Sequence, residues 1–80
     1  MERELLVDAR YLEPPEPFVL AMEALDTFDR DPEIDHIRLL IFREPFPLYK
    51  VLDQHGYRRS MTQAADGTYT ILVRRQPANG

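Results

Sequence analysis

The chain has 80 residues, with 14 acidic and 10 basic side chains and no cysteine. This length suits one domain, 1–80, with a small core, and the net charge of −4 disfavours non-specific binding to nucleic acid or an anionic membrane. The lack of cysteine excludes disulfides, thiolate metal sites and thiol nucleophiles, and it fits a cytoplasmic protein. The charged N-terminus and the short apolar run Leu5-Leu6-Val7 fit neither a signal peptide nor a membrane span.

The first half of the chain predicts a strand and a helix. Leu5-Leu6-Val7 is expected to form a short buried strand that ends at Asp8. The prolines at 14, 15 and 17 then open a helix, because proline is tolerated in a first helical turn. From Phe18 to Phe28 the apolar residues recur with a helical period. The face expected to be buried carries Phe18, Ala21, Met22, Leu25 and Phe28.

The second half predicts three strands and one helix. His36–Phe42 alternates as a strand does, and Glu44-Pro45-Phe46-Pro47 opens a second helix that ends at Gly56. Two further strands, Tyr57–Gln63 and Thr68–Arg75, are joined by Asp66-Gly67, a strong hairpin signal. We expect an ordered core from about residue 3 to about residue 75 and a loose tail at 76–80.

The predicted order β-α-β-α-β-β indicates an α+β fold with two layers. The first two strands are joined through a helix, so they should be parallel and connected in the right-handed sense. The last two strands should form an antiparallel hairpin. Both helices are expected on one face of a four-stranded mixed sheet. Glu-Pro-Phe occurs at 16–18 and again at 44–46, which supports both proline-rich segments as helix starts.

The loop after the first strand resembles the signature of the TusA/SirA-like sulfur carriers. In that family this loop leads to Cys-Pro-x-Pro at the start of the first helix. Asp8, Leu12 and Pro15-Glu16-Pro17 occupy the matching positions, while Pro14 stands in place of the cysteine. The resemblance implies the carrier fold along nearly the whole chain, without the thiol that accepts a persulfide.

A second segment, Arg43–Tyr49, resembles a cysteine-free branch of the same superfamily, classed as a domain of unknown function. Members of that branch occur beside or fused to hemerythrin-like and denitrification proteins. The resemblance therefore implies a link to redox or nitrogen-oxide physiology.

Two charged loops are expected to meet at one edge of the sheet, because the carboxyl ends of parallel strands border a common crevice. The charged residues there are Asp8, Arg10, Glu13, Glu16, Arg43 and Glu44. One interpretation is a docking patch for a partner, and another is an anion site held by Arg10 and Arg43. The same charges also fit a solvated helix start in which the arginines pair with nearby glutamates.

The face of the sheet away from the helices is the second candidate surface. Strand parity places on it Arg38, Leu40, Phe42, Leu72 and Arg74. An apolar patch ringed by arginines favours a protein partner or a homodimer. The negative net charge and the lack of a recognised aromatic stacking motif make nucleic acid unlikely as a partner.

Signals for chemistry are absent from the sequence. His36 and His55 lack the spacing of metal ligands, so neither a metal nor a cofactor is expected. Ser60 is the sole serine and lies within a strand, and the glycines do not form a phosphate loop. We therefore expect a non-catalytic TusA-like interaction or accessory domain. The alternative is a small-molecule or anion-binding protein that uses Arg10 and Arg43.

Overall fold

A computed structural model describes residues 2–76 of the chain. The elements found there are β1 (Glu4–Asp8), α1 (Glu16–Arg30), β2 (His36–Ile41), α2 (Phe46–Gln54), β3 (Arg58–Gln63) and β4 (Tyr69–Arg74). Their order is the predicted one. Residues 77–80 of the expected tail lie outside the described residues. Neither helix in the described part of the chain has the length and hydrophobicity needed to cross a bilayer.

The four strands form one mixed sheet in the order β1-β2-β4-β3. β1 runs parallel to β2, with Leu5 opposite Ile37, whereas β4 lies antiparallel to both β2 and β3. Both helices pack on the same face, α1 against β1 and β2, and α2 against β3. The two-layer α+β fold predicted from the sequence is confirmed.

The core lies between the helices and one face of the sheet. On β2 and β4, alternate residues point towards the helices, because successive side chains of a strand face opposite sides. Burial of each large apolar side chain contributes about 1.5–3 kcal/mol. The side chains buried at the centre of this layer are Leu25, Phe28, Ile37, Leu39, Leu48, Leu52, Ile71 and Val73.

Two apolar segments are less buried than the sequence suggests. Leu6 is 56% exposed, because Leu5 and Val7 face the helices and strand alternation turns Leu6 to the open face. The expectation of a fully buried β1 is therefore wrong. On α1, Phe18 is 39% exposed and Met22 is 36% exposed. The buried stripe instead runs through Ala21, Ala24, Leu25 and Phe28, and Met22 lies beside it.

The end of β4 is tied to the end of α1 by Arg75. Its guanidinium donates hydrogen bonds to the backbone oxygens of Phe28, Asp31 and Ile34. The same group lies 3.8 Å from the centroid of the Phe28 ring. The last carbonyls of a helix lack partners within the helix, and a cation suits the negative end of the helix dipole. Arg75 therefore caps α1 from the far end of the chain.

Candidate functional site

A groove of about 640 Å³ opens where β1 and β2 end and both helices begin. We call it the proline groove. Its walls are the segments before α1 and before α2, and its floor is formed by side chains of the sheet. The apolar lining consists of Ala9, Leu12, Pro14, Pro15, Pro17, Phe18, Ala21, Leu39, Ile41, Phe42, Pro45, Pro47 and Leu48.

The two helix starts on either side of the groove share one local structure. Pro15 and Pro45 are the N-cap residues, and a second proline follows two positions later in each helix. Neither cap makes a side-chain hydrogen bond; instead the N–H of Val19 donates to the oxygen of Pro15 at 3.1 Å. The repeat that matters structurally is therefore Pro-x-Pro, at 15–17 and 45–47. The Glu-Pro-Phe match seen in the sequence lies two positions out of this register.

The structure brings four of the predicted charged residues to the lining of this groove: Arg10, Glu13, Arg43 and Glu44. Asp8 ends β1 just before the lining begins. Glu16 is the first residue of α1, exposed and outside the lining. The two loops thus meet at one edge of the sheet, as parallel strands require.

The charge of Arg10 is already balanced by Asp8. Nε of Arg10 lies 2.9 Å from Oδ1 of Asp8, and the terminal guanidinium nitrogen lies 2.8 Å from Oδ2. The backbone N–H of Arg10 also donates to Oδ1 at 3.1 Å. These hydrogen bonds from the Arg10 side chain and backbone lower the pKa of Asp8 to about 2. The partner of Arg10 is therefore the carboxylate two residues before it, and not one of the glutamates considered from the sequence.

Glu44 is also engaged within the protein. Its Oε2 accepts a hydrogen bond from the hydroxyl of Tyr49 at 3.1 Å. Burial, followed by this hydrogen bond, raises the pKa of Tyr49 to about 12. Arg59 covers the Tyr49 ring, 4.0 Å from its centroid, and is itself paired with Asp53 at 3.0 Å. This side of the groove is thus held by a network that ties α2 to β3.

Two charges of the groove stay uncommitted. Arg43 and Glu13 are both exposed, and within residues 2–76 neither side chain forms an ion pair or a hydrogen bond. They belong to different loops, Glu13 before α1 and Arg43 before α2. The groove therefore offers one free cation and one free anion among its described residues.

Exposed aromatic and aliphatic side chains surround the mouth of the groove. Tyr11 is 81% exposed, and its ring meets the ring of Phe42 edge-on with centroids 5.2 Å apart. Phe18 and Leu12 are partly exposed in the lining. The sequence analysis predicted only the charged residues of these loops as site residues. The exposed apolar residues could have been predicted too, because Tyr11 and Leu12 lie in a loop, where a large apolar side chain has no core to enter.

On the open face of the sheet, four of the five predicted residues occupy the expected positions. Arg38 lies opposite Leu72, and Leu40 and Arg74 share that face, because Ile37, Leu39, Ile71 and Val73 face the helices. Phe42 lies beyond the end of β2 and belongs to the proline groove. The arginines of this face are paired, Arg38 with Glu4 at 2.7 Å and Arg74 with Glu2 at 3.2 Å.

His36 lies at the centre of these ion pairs and is only 6% exposed. Nδ1 is 3.0 Å from Oε1 of Glu2, and Nε2 is 2.9 Å from Oε1 of Glu4. Each ring nitrogen therefore faces one carboxylate oxygen. Hydrogen bonds from Arg38 and His36 lower the pKa of Glu4. We call this group the His36 cluster; it comprises Glu2, Glu4, His36, Arg38 and Arg74.

The geometry of the His36 cluster does not suit a metal ion. The two glutamates approach different nitrogens of the ring, so the three side chains do not converge on one point. Within residues 2–76, no three histidine or carboxylate side chains are placed to hold a metal ion together. The cluster joins the N-terminal residues to β2 and β4.

Comparison with solved structures shows that the chain is similar to the crystal structure of a SirA-like protein from Desulfitobacterium hafniense. The TM-score is 0.73 and the identity 17%, over 91% of this chain and 99% of that chain. At this identity the likeness concerns the fold, and it confirms the TusA/SirA-like fold expected from the loop after β1. No curated protein matches the chain.

Comparison with protein families confirms the assignment to a domain of unknown function. Residues 6–75 match the family described as an uncharacterized conserved protein, DUF2249. The match covers every strand and helix described above, apart from the first residues of β1. The chain therefore belongs to the DUF2249 family, and its scaffold is the SirA-like fold.

Proposed function

We propose that the chain is a non-catalytic binding domain whose ligand, a small and mainly apolar molecule, occupies the proline groove. One observation carries the proposal: a concave cavity of about 640 Å³, walled by prolines, Phe18 and Phe42, at the carboxyl ends of two parallel strands. Ligand pockets in proteins are typically ~300–1,000 Å³ and mainly apolar, with a few polar groups. Such crevices are common ligand sites in open α/β sheets.

The residues of the groove favour binding over chemistry. Pro14 lines the groove at the position of the carrier thiol and has no nucleophilic atom. Of the four charged lining residues, Arg10 is committed to Asp8 and Glu44 to Tyr49. Arg10 keeps further N–H donors, but Asp8 already balances its charge, so an anion held by Arg10 and Arg43 would gain less from Arg10. Arg43 alone is free to meet an acidic group of the ligand.

The proposal is tested with a ligand screen on the isotope-labelled chain, followed by NMR. The library includes apolar acids, amines and neutral molecules, together with compounds of redox and nitrogen-oxide metabolism, because the cysteine-free branch is linked to that physiology. A true ligand shifts the amide signals of 9–18 and 42–48. Shifts spread over the whole molecule, or no ligand at all, would contradict the proposal.

A matched pair of variants decides whether binding occurs in the groove. Phe18 lines the groove, whereas Val19 is also exposed, at the next position of α1, and lies outside the groove. Phe18→Ala removes apolar contact area and should weaken binding about tenfold or more. Val19→Ala should leave the dissociation constant within about twofold. Equal effects of the two substitutions would place the ligand elsewhere.

A second candidate function is protein binding through the open sheet face. Leu6 is exposed there and Leu40 and Leu72 are half-buried, with Arg38 between Leu6 and Leu72 in the register, on a face that no helix covers within the described residues. A partner protein or a second copy would bury these leucines. The test compares Leu6→Asp and Leu40→Asp with Thr62→Asp in light scattering and in capture of a defined partner. Loss of assembly in the leucine variants alone supports this function, and a monomer in every case excludes the homodimer.

A further inference from the structure

We propose that the ligand of the proline groove is a zwitterion with a large apolar side chain, of which a free aromatic amino acid is the simplest example. Its carboxylate faces Arg43, its ammonium faces Glu13, and its side chain lies among the prolines and Phe18. This inference rests on the proposed function, because it names the class of molecule that the same groove binds.

The uncommitted charges of the groove carry the inference. Four charged side chains line it, but Asp8 holds Arg10 at 2.8 Å and the Tyr49 hydroxyl lies 3.1 Å from Glu44. The remaining Arg43 and Glu13 are exposed and have no ion-pair partner among residues 2–76. They have opposite signs, so the side chains without a partner offer one cation and one anion, while Glu44 keeps its negative charge beside the neutral Tyr49 hydroxyl.

The presence of one cation, Arg43, and one anion, Glu13, without partners discriminates between classes of ligand. An apolar monoanion would be attracted by Arg43 but repelled by Glu13. An apolar monocation would be attracted by Glu13 but repelled by Arg43. Like charges brought together at an interface are unfavourable, and this is a source of selectivity. A neutral apolar ligand would gain neither charge. Only a molecule with both charges is complementary to both residues.

The placement of the two residues suits the separate groups of such a molecule. Glu13 belongs to the segment before α1, and the N–H of Glu16 fixes its backbone oxygen at 2.9 Å. Arg43 belongs to the loop that leaves β2. The planar guanidinium can hold a carboxylate with two parallel hydrogen bonds, whereas a carboxylate accepts freely from an ammonium group. The two charged residues thus line one groove from two different loops.

The apolar part of the groove suits an aromatic or large aliphatic side chain. Leu39 and Ile41 lie on its floor, and Phe18 and Phe42 present ring surfaces in its lining. Aromatic rings pack favourably edge to face, as Tyr11 and Phe42 already do at the mouth. A short polar side chain would leave this surface exposed to water.

The experiment uses four probes that share the phenylalanine side chain and carry both, one or neither of its two charges: phenylalanine, N-acetylphenylalanine, phenylalanine amide and N-acetylphenylalanine amide. Each is titrated into the full labelled chain at neutral pH, and dissociation constants are taken from the groove amides. Phenylalanine should bind about tenfold more tightly than either singly charged probe, since each charge-assisted contact adds to affinity. The neutral probe should bind most weakly.

Substitutions show which residue interacts with the carboxylate of the probe and which with its ammonium group. Arg43→Gln should abolish the preference for phenylalanine over its amide, and Glu13→Gln should abolish the preference over the N-acetyl acid. Glu16→Gln and Arg30→Gln remove exposed charges outside the groove and should leave all four dissociation constants unchanged.

The outcomes separate this inference from the proposed function. If all four probes bind equally and Phe18→Ala weakens them all, the groove is a binding site but its ligand need not be a zwitterion. If none of the four probes shifts the groove amides, the zwitterion is overturned, and the library screen alone decides the proposed function. If Glu16→Gln changes the preferences as much as Glu13→Gln, the assignment of Glu13 is wrong.

Discussion

The two ends of the β1–β2 pair use their charges in opposite ways. At the N-terminal end of β1, every member of the His36 cluster is paired with another member, at distances of 2.7–3.2 Å. At the carboxyl end, the proline groove leaves Arg43 and Glu13 unpaired among the described residues and exposes Tyr11 and Phe42. The polar groups of the His36 cluster therefore hold the sheet together. The unpaired charges of the proline groove stay available to a ligand.

The largest expected effect on the free energy of unfolding comes from disrupting the His36 cluster. His36→Ala removes an almost fully buried ring that contacts the carboxylates of Glu2 and Glu4. We expect a loss of about 2 kcal/mol in the free energy of unfolding, as for a buried polar partner. Arg43→Ala in the proline groove should change the free energy of unfolding by no more than about 0.5 kcal/mol. Urea unfolding of both variants measures the difference, and equal losses would mean that the two ends are not distinct.

A smaller effect on stability is expected from the Asp8–Arg10 pair, which borders the proline groove. The pKa of Asp8 falls from 3.8 to about 2 on folding, because Arg10 donates to its carboxylate. A carboxyl whose folded pKa is depressed stabilises the protein above its unfolded pKa, and the contribution is lost as the pH falls towards the folded value. The difference in urea midpoint between the wild type and Asp8→Asn should therefore be constant above about pH 5 and shrink progressively as the pH falls towards and below about 2.

The control for this prediction is Asp26→Asn, on an exposed pair with Arg30 in α1. The stability difference of this variant should be small at every pH, because exposed ion pairs contribute little. A difference for Asp8→Asn that persists unchanged to pH 2 would show that the Asp8–Arg10 pair is not formed in solution.

The smallest effect on stability is expected from Pro14→Cys, which introduces a thiol into the lining of the groove. Pro14 is exposed, so unfolding should change by no more than about 0.5 kcal/mol. The chain has no other cysteine, and the new thiol is therefore a single labelling site. Alkylation with a bulky reagent should block ligand binding. The same label at Ser60→Cys, on the open sheet face, should leave binding intact; block by both labels would indicate a general effect on the fold.

The sequence predicted the scaffold because its signals are local. Alternation in 37–41, the helical period of 18–28 and Asp66-Gly67 each determine an element without reference to the rest of the chain. Parallel pairing of β1 with β2 then followed from the helix between them, and with it the meeting of Arg10, Glu13, Arg43 and Glu44 at one edge.

The remaining features depended on information that no local pattern contains. Leu5-Leu6-Val7 is apolar throughout, so it carries no alternation to show that Leu6 faces solvent. The His36 cluster requires the register that sets Glu4 opposite His36 and His36 opposite Arg74. The pairing of Arg10 with Asp8 was open to prediction, since an arginine two residues after an aspartate can reach its carboxylate. The charges at the helix start drew attention to the glutamates instead.

The strand order has a consequence for how the protein is made. β4 is the last strand of the described chain, yet it lies inside the sheet between β2 and β3, and Arg75 closes the end of the first helix. A ribosome delivers the chain from the N-terminus, so the nascent β1-α1-β2 unit exposes the edge of β2 until the final strand emerges. Unpaired edges of this kind invite association with other chains. The edge of β2 is therefore the part of this sheet most open to association with other chains until β4 pairs with it.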